Sequence, residues 1–413
     1  MRVFKFGGAS VKNAPAVVNT ASIINAHKDE PLLVVVSAMG KTTNALEVIV
    51  QSILNKQDYQ HELQQIKDYH RSITDTLFDA NHAIHKEIIS VLDSINNLSN
   101  KPFSDDQLYD QVVSLGEIVS TLIVAAYVNH RGNGCTWLDA REFIRTDANY
   151  REGKVDWENS KKAMSSISFE GNRCFVTQGF IGRTSDGFTT TLGREGSDFT
   201  AAIFAACLKA TSVTIWKDVP GVMNADPKRL PAAIVFDELP FKEAAEMTYY
   251  GASVIHPKTI KPLANAGIPL LVKNFDNINL PGTRIHECKV DELPPLIVFK
   301  DNQCLISCKV VDYTFIDEAQ LGIIFKALSE LSIKINLMQN SAISFSFCVD
   351  FRENKILKLV ESLQHHFEVY YNTGLTLITV KNYDEKTFDF YRKQKGVMLE
   401  QSSRSTLQVL VKA

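Results

Sequence analysis

The chain has 413 residues, of which 45% are hydrophobic, 22% are charged and 9% are aromatic. This balance excludes a disordered protein, and the length predicts about two to four domains that need neither a disulfide nor a structural metal to fold. The formal net charge is −3 with both signs spread along the chain, which argues against a nucleic-acid partner.

The cysteines and the N-terminus bear on location. The seven cysteines are scattered and include no Cys-x-x-Cys pair, which indicates reduced thiols in a cytoplasmic protein. Cys304 and Cys308 share a face of a predicted strand, but no histidine or third thiol nearby completes a metal site. No signal-peptide segment and no uninterrupted run of about 18 apolar residues occurs. We therefore expect a cytoplasmic protein without a membrane segment and without a metal held by the chain alone.

The first 285 residues alternate β-rich runs with helical stretches, as in a mostly parallel sheet covered by helices on both faces. The predicted strands are 2–6, 31–37, 134–139, 173–180, 212–217 and 269–273. The run Leu32–Val36 is continuously apolar, which is typical of a strand buried on both faces. These patterns predict an α/β domain.

The first strand ends at Lys5 and leads through Gly7 and Gly8 toward a helix. Paired glycines let a backbone approach a phosphate closely, and a lysine at the strand end can reach the same charge. A tight turn with a solvated lysine is the alternative. Residues 37–44 form a small-residue turn after the second strand, where open α/β sheets bind ligands, but the turn lacks the first glycine of a Walker loop.

Residues 45–130 form a long helical insert. Apolar residues recur on one helical face at Leu108, Val112, Leu115, Val119, Leu122, Ile123 and Ala126. Glu117 lies in the same helix among small residues. It is either a solvated surface glutamate or a carboxylate with room beside it for a ligand amine.

Two later loops carry polar residues. Arg194 offers a planar fork for a carboxylate, and Ser197 or Asp198 would cap the helix that follows, whose N-terminus attracts anions. A plain helix cap with a surface arginine is the alternative. Residues 216–228 run from a strand into a turn of the kind that can hold a nucleotide.

The pattern changes after residues 276–295, where Pro281-Gly282 and Pro294-Pro295 indicate a boundary. A β-α-β-β-α-β unit follows, with strand 306–311, helix 318–331, strands 333–338 and 343–351, helix 355–367 and strand 368–371. A shorter copy comprises strand 375–380, helix 386–395 and strands 396–400 and 406–411. The second copy is therefore predicted to be truncated.

Together these motifs resemble the aspartate kinases of the amino acid kinase family along essentially the whole chain. The matching motifs are Lys5-Phe-Gly-Gly-Ala-Ser-Val11, Ser37-Ala-Met-Gly40, Ser114-Leu-Gly-Glu117, Thr177-Gln-Gly-Phe180, Thr191-Leu-Gly-Arg194, Ser197-Asp198, Asp218-Val-Pro-Gly221, Asp226-Pro227 and Gly251-Ala-Ser-Val-Ile-His256-Pro257. The resemblance implies an amino acid kinase catalytic domain in 1–285, a linker and first regulatory strand in 286–300, a ferredoxin-like ACT unit in 301–371 and a partial ACT unit in 372–413.

The resemblance also implies that the chain uses ATP with Mg²⁺ to phosphorylate the side-chain carboxylate of L-aspartate, at the start of lysine, threonine and methionine biosynthesis. The implied catalytic residues are Lys5 and Asp198. The implied aspartate-binding residues are Thr43, Glu117, Phe180, Arg194 and Ser197. The implied ATP-binding residues are Lys5, Gly7, Gly8, Ser37, Lys217, Asp218, Met223, Lys228 and Ser253.

Four residues depart from the family pattern, namely Ala9, Glu195, Met223 and Ser253. Ser253 replaces a lysine that lies toward the nucleotide phosphates, so ATP binding would depend on another cation, one of Lys41, Lys217 and Lys258. Glu195 adds a negative charge beside an anion site, and we expect it to face solvent. Ser253, Met223 and Glu195 favour an alternative function, a catalytically weak amino acid sensor. A sibling kinase acting on glutamate, acetylglutamate or a nucleotide is a third possibility.

The ACT resemblance implies a homodimer that is formed through these units and binds an end-product amino acid. The matching effector positions are Asn336, Gln339, Asn340 and Ser341. Ala342 stands where lysine-sensitive relatives often carry an acidic residue. ACT units that serve only as a dimer interface therefore remain the alternative.

Overall fold

The structure is a computed structural model that describes residues 1–27, 29–132, 134–170, 173–252, 255–290, 292–311 and 315–412. The chain divides into two compact units. The first contains Met1–Val222, Val235–Ala245 and Val254–Val290, and the second contains Met223–Ile234, Glu246–Ser253 and Asp291–Ala413. The predicted boundaries 1–285, 286–300, 301–371 and 372–413 describe functional domains, and they stay a prediction.

The first unit is built on one sheet with helices packed against it. Its elements are β1 (Arg2–Phe6), the 3₁₀ helix η1 (Gly8–Val11), α1 (Ala14–Asn25), β2 (Leu32–Val36), α2 (Thr42–Leu54), α3 (Gln60–Leu77), α4 (Ile84–Asp93), α5 (Ile95–Leu98), α6 (Asp105–His130), β3 (Cys135–Leu138), α7 (Ala140–Phe143), α8 (Trp157–Met164), β4 (Cys174–Gln178), β5 (Ile181–Arg183), β6 (Thr189–Thr191), α9 (Gly196–Leu208), β7 (Ser212–Lys217), β8 (Glu238–Pro240), α10 (Phe241–Tyr250), α11 (Pro257–Ala266), β9 (Leu270–Asn274) and β10 (Thr283–His286). Helix α10 begins in the first unit and ends in the second.

The main sheet has the strand order β3-β4-β2-β1-β7-β9-β10-β8. Its neighbours pair in parallel except for β9 and β10, which are antiparallel. All six strands predicted from the sequence form, and every residue of β2 is buried, as its apolar run indicated. The prediction of a mostly parallel α/β sheet is therefore confirmed.

Helix α6 is more deeply buried than its pattern predicted. Leu122 and Ala126 are only half-buried, whereas polar Asp110, Glu117 and Ser120 are buried, so the expectation of a single apolar face was too narrow. The helix is long and apolar enough to cross a membrane by composition, but 89% of its most apolar window is buried inside the protein. That burial is the environment of a core helix.

The second unit is built on one antiparallel sheet. Its elements are β11 (Leu296–Lys309), α12 (Glu318–Glu330), β12 (Ile335–Asn340), β13 (Ser344–Asp350), α13 (Glu353–Leu363), β14 (Glu368–Lys381), α14 (Glu385–Arg392), β15 (Val397–Ser402) and β16 (Thr406–Lys412). The strand order is β12-β13-β11-β14-β16-β15. Both small predicted units therefore share a single sheet, whose central strands are β11 and β14.

Two strand predictions in this unit were wrong in extent. The predicted strands 368–371 and 375–380 are one strand, β14, and the predicted strand 306–311 is the end of β11, which begins at Leu296. The two long strands pair along their length with register shifts near Gln303. Cys304 and Cys308 are buried in the same apolar cluster, as their spacing predicted.

Candidate functional site

A cavity of about 530 Å³ lies in the first unit, where several parallel strands end at one edge of the sheet. Lys5 comes from the end of β1, Ser37 follows β2 and Phe180 follows β4. The residues that line the cavity are Lys5, Ser37, Thr43, Glu47, Tyr109, Glu117, Arg151, Glu152, Phe180, Thr191, Gly193, Arg194, Glu195, Gly196 and Ser197. Ligands of open α/β sheets bind at such edges.

Lys5, which lines this cavity, belongs to a buried ion pair. The Lys5 Nζ is 2.6 Å from Asp198 Oδ1, and the Lys217 Nζ is 3.7 Å from Asp198 Oδ2. Burial by itself would raise the pKa of Asp198, but the two ammonium groups outweigh it and hold the pKa below its ordinary value. Asp198 is therefore a fixed anion that orients Lys5.

The helix start that holds Asp198 differs from the prediction. Helix α9 begins at Gly196, and its N-cap is Glu195 in the left-handed conformation with φ 56°, without a side-chain cap bond. Neither Ser197 nor Asp198 caps the helix; both lie in its first turn, where the helix dipole favours the carboxylate of Asp198. Arg194 and Glu195 are exposed at the cavity rim, and the solvent exposure of Glu195 agrees with the prediction.

The paired glycines bring two turns together. A Cβ added to Gly8 would lie 2.6 Å from the Ala38 carbonyl oxygen, so this approach requires glycine. The Gly40 amide donates to the Gly8 carbonyl over 3.0 Å. A Cβ at Gly7 would lie 3.5 Å from the Lys5 Nζ. Gly7 therefore lies next to the ammonium group, and a side chain there would contact it.

Glu117 is buried with an exposed fraction of 3%, so the alternative of a solvated surface glutamate is wrong. Burial raises its pKa to about 8, although a backbone hydrogen bond from Ala38 and the charge of Lys5 act in the opposite direction. Its Oε2 atom has no hydrogen-bond partner among the described residues. A neutral carboxyl group at pH 7 with one open oxygen is suited to receive a cationic group.

Phe180 and Ser197 both line the cavity, and Phe180 packs against the start of α9. Phe180 has φ 68°, and its amide donates to the Thr200 hydroxyl over 2.9 Å. A Cβ on Gly196 would lie 2.6 Å from the Phe180 ring, so the ring rests directly on the start of α9. Thr43, in the first turn of α2, is half-buried and lines the same cavity.

The sequence analysis did not predict three polar residues that line this cavity, Glu47, Tyr109 and Arg151. The Tyr109 hydroxyl donates to Glu47 Oε1 over 2.7 Å, and the Arg151 guanidinium lies 4.0 Å from the centre of the Tyr109 ring. Helical spacing could have found two of these residues, because Glu47 is one turn after Thr43 and Tyr109 is two turns before Glu117. Arg151 lies in a loop, where periodicity carries no signal.

Asp110 forms hydrogen bonds to two residues that line the cavity, Arg151 and Thr191. The buried carboxylate accepts hydrogen bonds from the backbone amides of Arg151 and Thr191, both over 2.9 Å, and from the Thr191 hydroxyl over 2.7 Å. Burial raises its pKa to about 6, against the effect of these hydrogen bonds. Asp110 therefore anchors β6 and the 147–154 loop on helix α6.

Only some of the predicted ATP-binding residues lie at or near this cavity. Lys217 reaches Asp198 as described, and exposed Asp218 follows it at the end of β7. Met223 and Lys228 belong to the second unit, and Ser253 lies outside the described residues.

The cations expected to replace the missing family lysine differ in position. The Lys258 Nζ is 3.5 Å from where a Cβ on Gly193 would stand, at the cavity wall. Lys41 instead lines a separate cavity of about 310 Å³ beside α2 and α3. Lys258 is therefore close to Gly193, which lines the main cavity, but its own side chain lines another cavity of about 570 Å³ beside α9 and α11.

The predicted effector positions lie at the edge strand β12 of the second unit. Asn336 donates to Gln303 Oε1 over 2.7 Å and to Asp350 Oδ1 over 2.9 Å, and it accepts from the Lys300 Nζ over 2.9 Å. The other three positions, Gln339, Asn340 and Ser341, are exposed. The Asn336 side chain is thus already engaged within its own unit.

Comparison with known proteins identifies the family. The amino acid kinase family profile matches residues 1–274. Lysine-sensitive aspartokinase 3 of Escherichia coli is 32% identical over 355 residues, which cover 84% of this chain and 78% of that protein. The bifunctional aspartokinase/homoserine dehydrogenase of Daucus carota is 29% identical over 90% of this chain, which spans only 42% of that protein's length.

A solved structure agrees with these relatives. The crystal structure of E. coli aspartokinase III in complex with aspartate and ADP superposes with a TM-score of 0.85 at 28% identity, covering 100% of this chain and 96% of that one. The chain therefore belongs to the amino acid kinase family, and within it to the aspartokinases.

Proposed function

We propose that the protein is an aspartate kinase, which transfers the terminal phosphoryl group of ATP to the side-chain carboxylate of L-aspartate and forms 4-phospho-L-aspartate. The observation that carries this proposal is the buried pair of Lys5 and Asp198, beside a glycine turn and in one cavity with Glu117 and Arg194. That cavity combines cations for phosphate and carboxylate with a carboxyl group that can become the counter-anion of an ammonium group.

The zwitterionic end of aspartate is recognised by opposite charges. Arg194 binds the α-carboxylate through its planar fork, and Glu117 receives the ammonium group. Because the pKa of Glu117 is about 8 in the ligand-free cavity, the arriving ammonium group lowers it, and a proton leaves on binding. The other proposed contacts are Thr43, Phe180 and Ser197.

Phosphoryl transfer needs charge neutralisation rather than a general base. An aspartate side chain with pKa ~3.9 is already ionised at neutral pH, so its oxygen attacks directly. The difficulty is the approach of two anions, which Lys5 and the amides of the Gly7-Gly8 turn relieve. Asp198 orients Lys5, since it is the anion that the ammonium group contacts.

Magnesium fits this site as an ion held mainly by the nucleotide. Asp198 is in contact with two ammonium groups, which leaves it poorly placed to hold a metal ion. Among the described residues, the group of three side chains that could together bind a metal ion lies elsewhere in the unit. Mg²⁺ keeps water and phosphate ligands readily, so the phosphate oxygens of ATP would hold it. Bound there, it would supply further neutralisation of the phosphate charge.

The nucleotide contacts of Ser37, Lys217, Asp218, Met223, Lys228 and Ser253 stay predictions from the family resemblance. Lys258 is our candidate for the cation that replaces the missing family lysine, because its ammonium group lies beside Gly193 at the cavity wall. A serine at 253 is also the observation that favours the second candidate function, an amino acid sensor with weak catalysis.

The test is a coupled assay of ADP release with Mg-ATP and aspartate, run beside glutamate, N-acetylglutamate and UMP. We expect aspartate to be preferred and the release to be lost in Lys5→Ala. Aspartate binding with turnover at background would favour the sensor, and preference for another acceptor would favour a sibling kinase. Either result would overturn the proposed activity.

Regulation and assembly belong to the same proposal. We propose a homodimer formed through the second unit, with an end-product amino acid bound near Asn336, Gln339, Asn340 and Ser341, in the cytoplasm. The plastid location in the names of several plant relatives is a property of those proteins. A titration of activity with lysine, threonine and methionine tests the effector, and absence of any response would leave the second unit with a role in assembly alone.

A further inference from the structure

Three residues of different chemistry meet at the edge of the main sheet, outside the cavity described above. Glu238 lies at the start of edge strand β8, His286 at the end of β10 and Cys288 just beyond it. One carboxylate oxygen, one imidazole nitrogen and one sulfur atom all lie within 4.8 Å of one another. None of the three residues lines the aspartate cavity.

The strand pairing explains why they meet. Strand β8 runs parallel to β10 with Glu238 opposite Arg284 and Pro240 opposite His286. His286 is the last residue of β10, and the chain bends at Glu287 before Cys288. The carboxylate of Glu238 comes from the neighbouring strand, so strand register brings Glu238 to His286, and the bend after β10 adds Cys288.

The histidine is incompletely satisfied in this arrangement. Its Nε2 lies 3.3 Å from Glu238 Oε1, but this buried atom has no hydrogen-bond partner among the described residues. Ligation of a metal ion would satisfy this nitrogen. The Glu238 side chain is 51% exposed, so an ion has access from solvent.

We propose that Glu238, His286 and Cys288 form a Zn²⁺ site whose fourth ligand is water. Zinc binds nitrogen, sulfur and carboxylate oxygen at about 2.0–2.3 Å in tetrahedral geometry, which separates neighbouring ligand atoms by roughly 3.3–3.8 Å. The three donor atoms therefore need only small side-chain movements to enclose the ion. A nitrogen and sulfur donor set selects against Mg²⁺ and Ca²⁺, which take oxygen ligands.

The charge surroundings are compatible with a divalent ion. A glutamate carboxylate and a zinc-bound thiolate together neutralise the charge of Zn²⁺. Exposed Arg284 and Glu287, beside His286 in sequence, carry opposite charges and largely offset each other. Bound zinc would tie the three-residue edge strand β8 to β10 and so hold this edge of the sheet in place.

Zinc binding by the metal-free full chain tests this site, with a chromophoric chelator as competitor at pH 7.5. We expect one tightly bound ion per chain, and Cys288→Ser and His286→Gln to weaken binding at least about tenfold, the least that losing even an outer-shell partner costs. Cys207→Ser is the control, because Cys207 is a partly exposed thiol outside this group of three. No stoichiometric binding, or equal binding by Cys288→Ser, would overturn the proposal.

Cobalt supplies a second readout that separates ligation from a folding defect. Co²⁺ bound to the parent chain is expected to show a thiolate charge-transfer absorption band, which Cys207→Ser keeps and Cys288→Ser loses. Thermal unfolding of each variant without metal should match the parent, since Cys288 is only partly buried. A band that persists in Cys288→Ser would place the ion on another thiol and refute the assignment.

Discussion

Two buried carboxylates in one cavity have pKa shifts of opposite direction. Asp198 is covered by the ammonium groups of Lys5 and Lys217, so its pKa falls, whereas Glu117 is dominated by burial and its pKa rises to about 8. Such a separation gives one fixed anion and one carboxyl group that titrates near neutral pH. The first is suited to orienting a catalytic cation and the second to binding a substrate ammonium group.

Replacing Lys5 with alanine tests the charge argument at the reacting phosphate. We expect kcat to fall by about 10²- to 10³-fold, the usual loss on removing one group that stabilises the transition-state charge, while aspartate binding changes little. Steady-state kinetics beside isothermal titration with aspartate measures the two effects. Exposed Lys12→Ala is the matched control, and near-normal turnover in Lys5→Ala would remove the lysine from the mechanism.

Arg194 is expected to contribute to capture of aspartate rather than to the chemical step. Arg194→Ala should raise the aspartate half-saturation concentration by about 10- to 100-fold, because a charge-assisted hydrogen bond is worth about 1.5–3 kcal/mol. The kcat at saturating aspartate should stay within a few-fold of the parent. Arg131→Ala, at an exposed helix end, controls for loss of a surface charge. Unchanged half-saturation would show that another residue holds the α-carboxylate.

Glu117→Gln should separate stability from binding. The folded pKa of about 8 lies above the ordinary 4.5, so the folded state holds the proton more tightly than the unfolded chain. Its contribution to stability is present below pH 4.5 and is lost as the pH rises to about 8, by about 4 kcal/mol. Glutamine does not titrate and avoids this loss.

The ligand-free Gln variant should therefore be more stable than the parent at pH 8.5, and the difference should shrink toward pH 5. Thermal unfolding at both pH values measures it, with exposed Glu158→Gln as the control. The same variant should bind aspartate more weakly, because it cannot become an anion. If the unfolding temperatures of variant and parent differed by the same amount at the two pH values, the raised pKa of Glu117 would be contradicted.

At the scale of elements, the apolar runs predicted the main sheet correctly because each central strand is buried on both faces. The error at β14 has a local cause. Asn372-Thr-Gly374 has the composition of a turn, and Gly374 does adopt φ 69°, but the chain continues as a strand because β11 pairs with it on both sides of a register shift. A bulge and a turn share the same sequence signal.

The cavity could be predicted only where its residues lie on regular elements or glycine motifs. Lys5, Glu117 and Asp198 were picked out from such patterns. The prediction that Ser197 or Asp198 is the N-cap of α9 was wrong. Glu195 takes the left-handed conformation there instead, which no side-chain pattern signals. Arg151 was missed because its position depends on the long-range bonds of Asp110 to its loop.

Asp110 offers a test of that anchoring. Asp110→Ala leaves a part-buried amide of Arg151 and the buried amide and hydroxyl of Thr191 without their acceptor, so we expect a loss of about 2–5 kcal/mol in unfolding free energy and weaker aspartate binding. Asp110→Asn keeps an acceptor oxygen and should restore most of both. Urea unfolding and aspartate half-saturation measure the two effects. An Ala variant as stable as the Asn variant would show that the loop is held by other contacts.

At the scale of the whole molecule, the proposed assembly depends on an unprotected sheet edge in the second unit. Strand β12 stands at the edge of its sheet, and its Met338 side chain is 51% exposed. An edge strand presents unpaired backbone groups, which a second copy can satisfy by pairing. Phe315 is 75% exposed in the same unit, so apolar surface is also available there.

Analytical ultracentrifugation should therefore find the full chain as a dimer. Met338→Lys places a charge on this edge and should raise the dimer dissociation constant at least about tenfold, which corresponds to ~1.4 kcal/mol. Leu357→Lys is the matched control, because Leu357 is equally exposed but lies on helix α13 rather than on a sheet edge. A parent that sediments as a monomer, or equal dissociation constants for the two variants, would show that β12 does not form the interface.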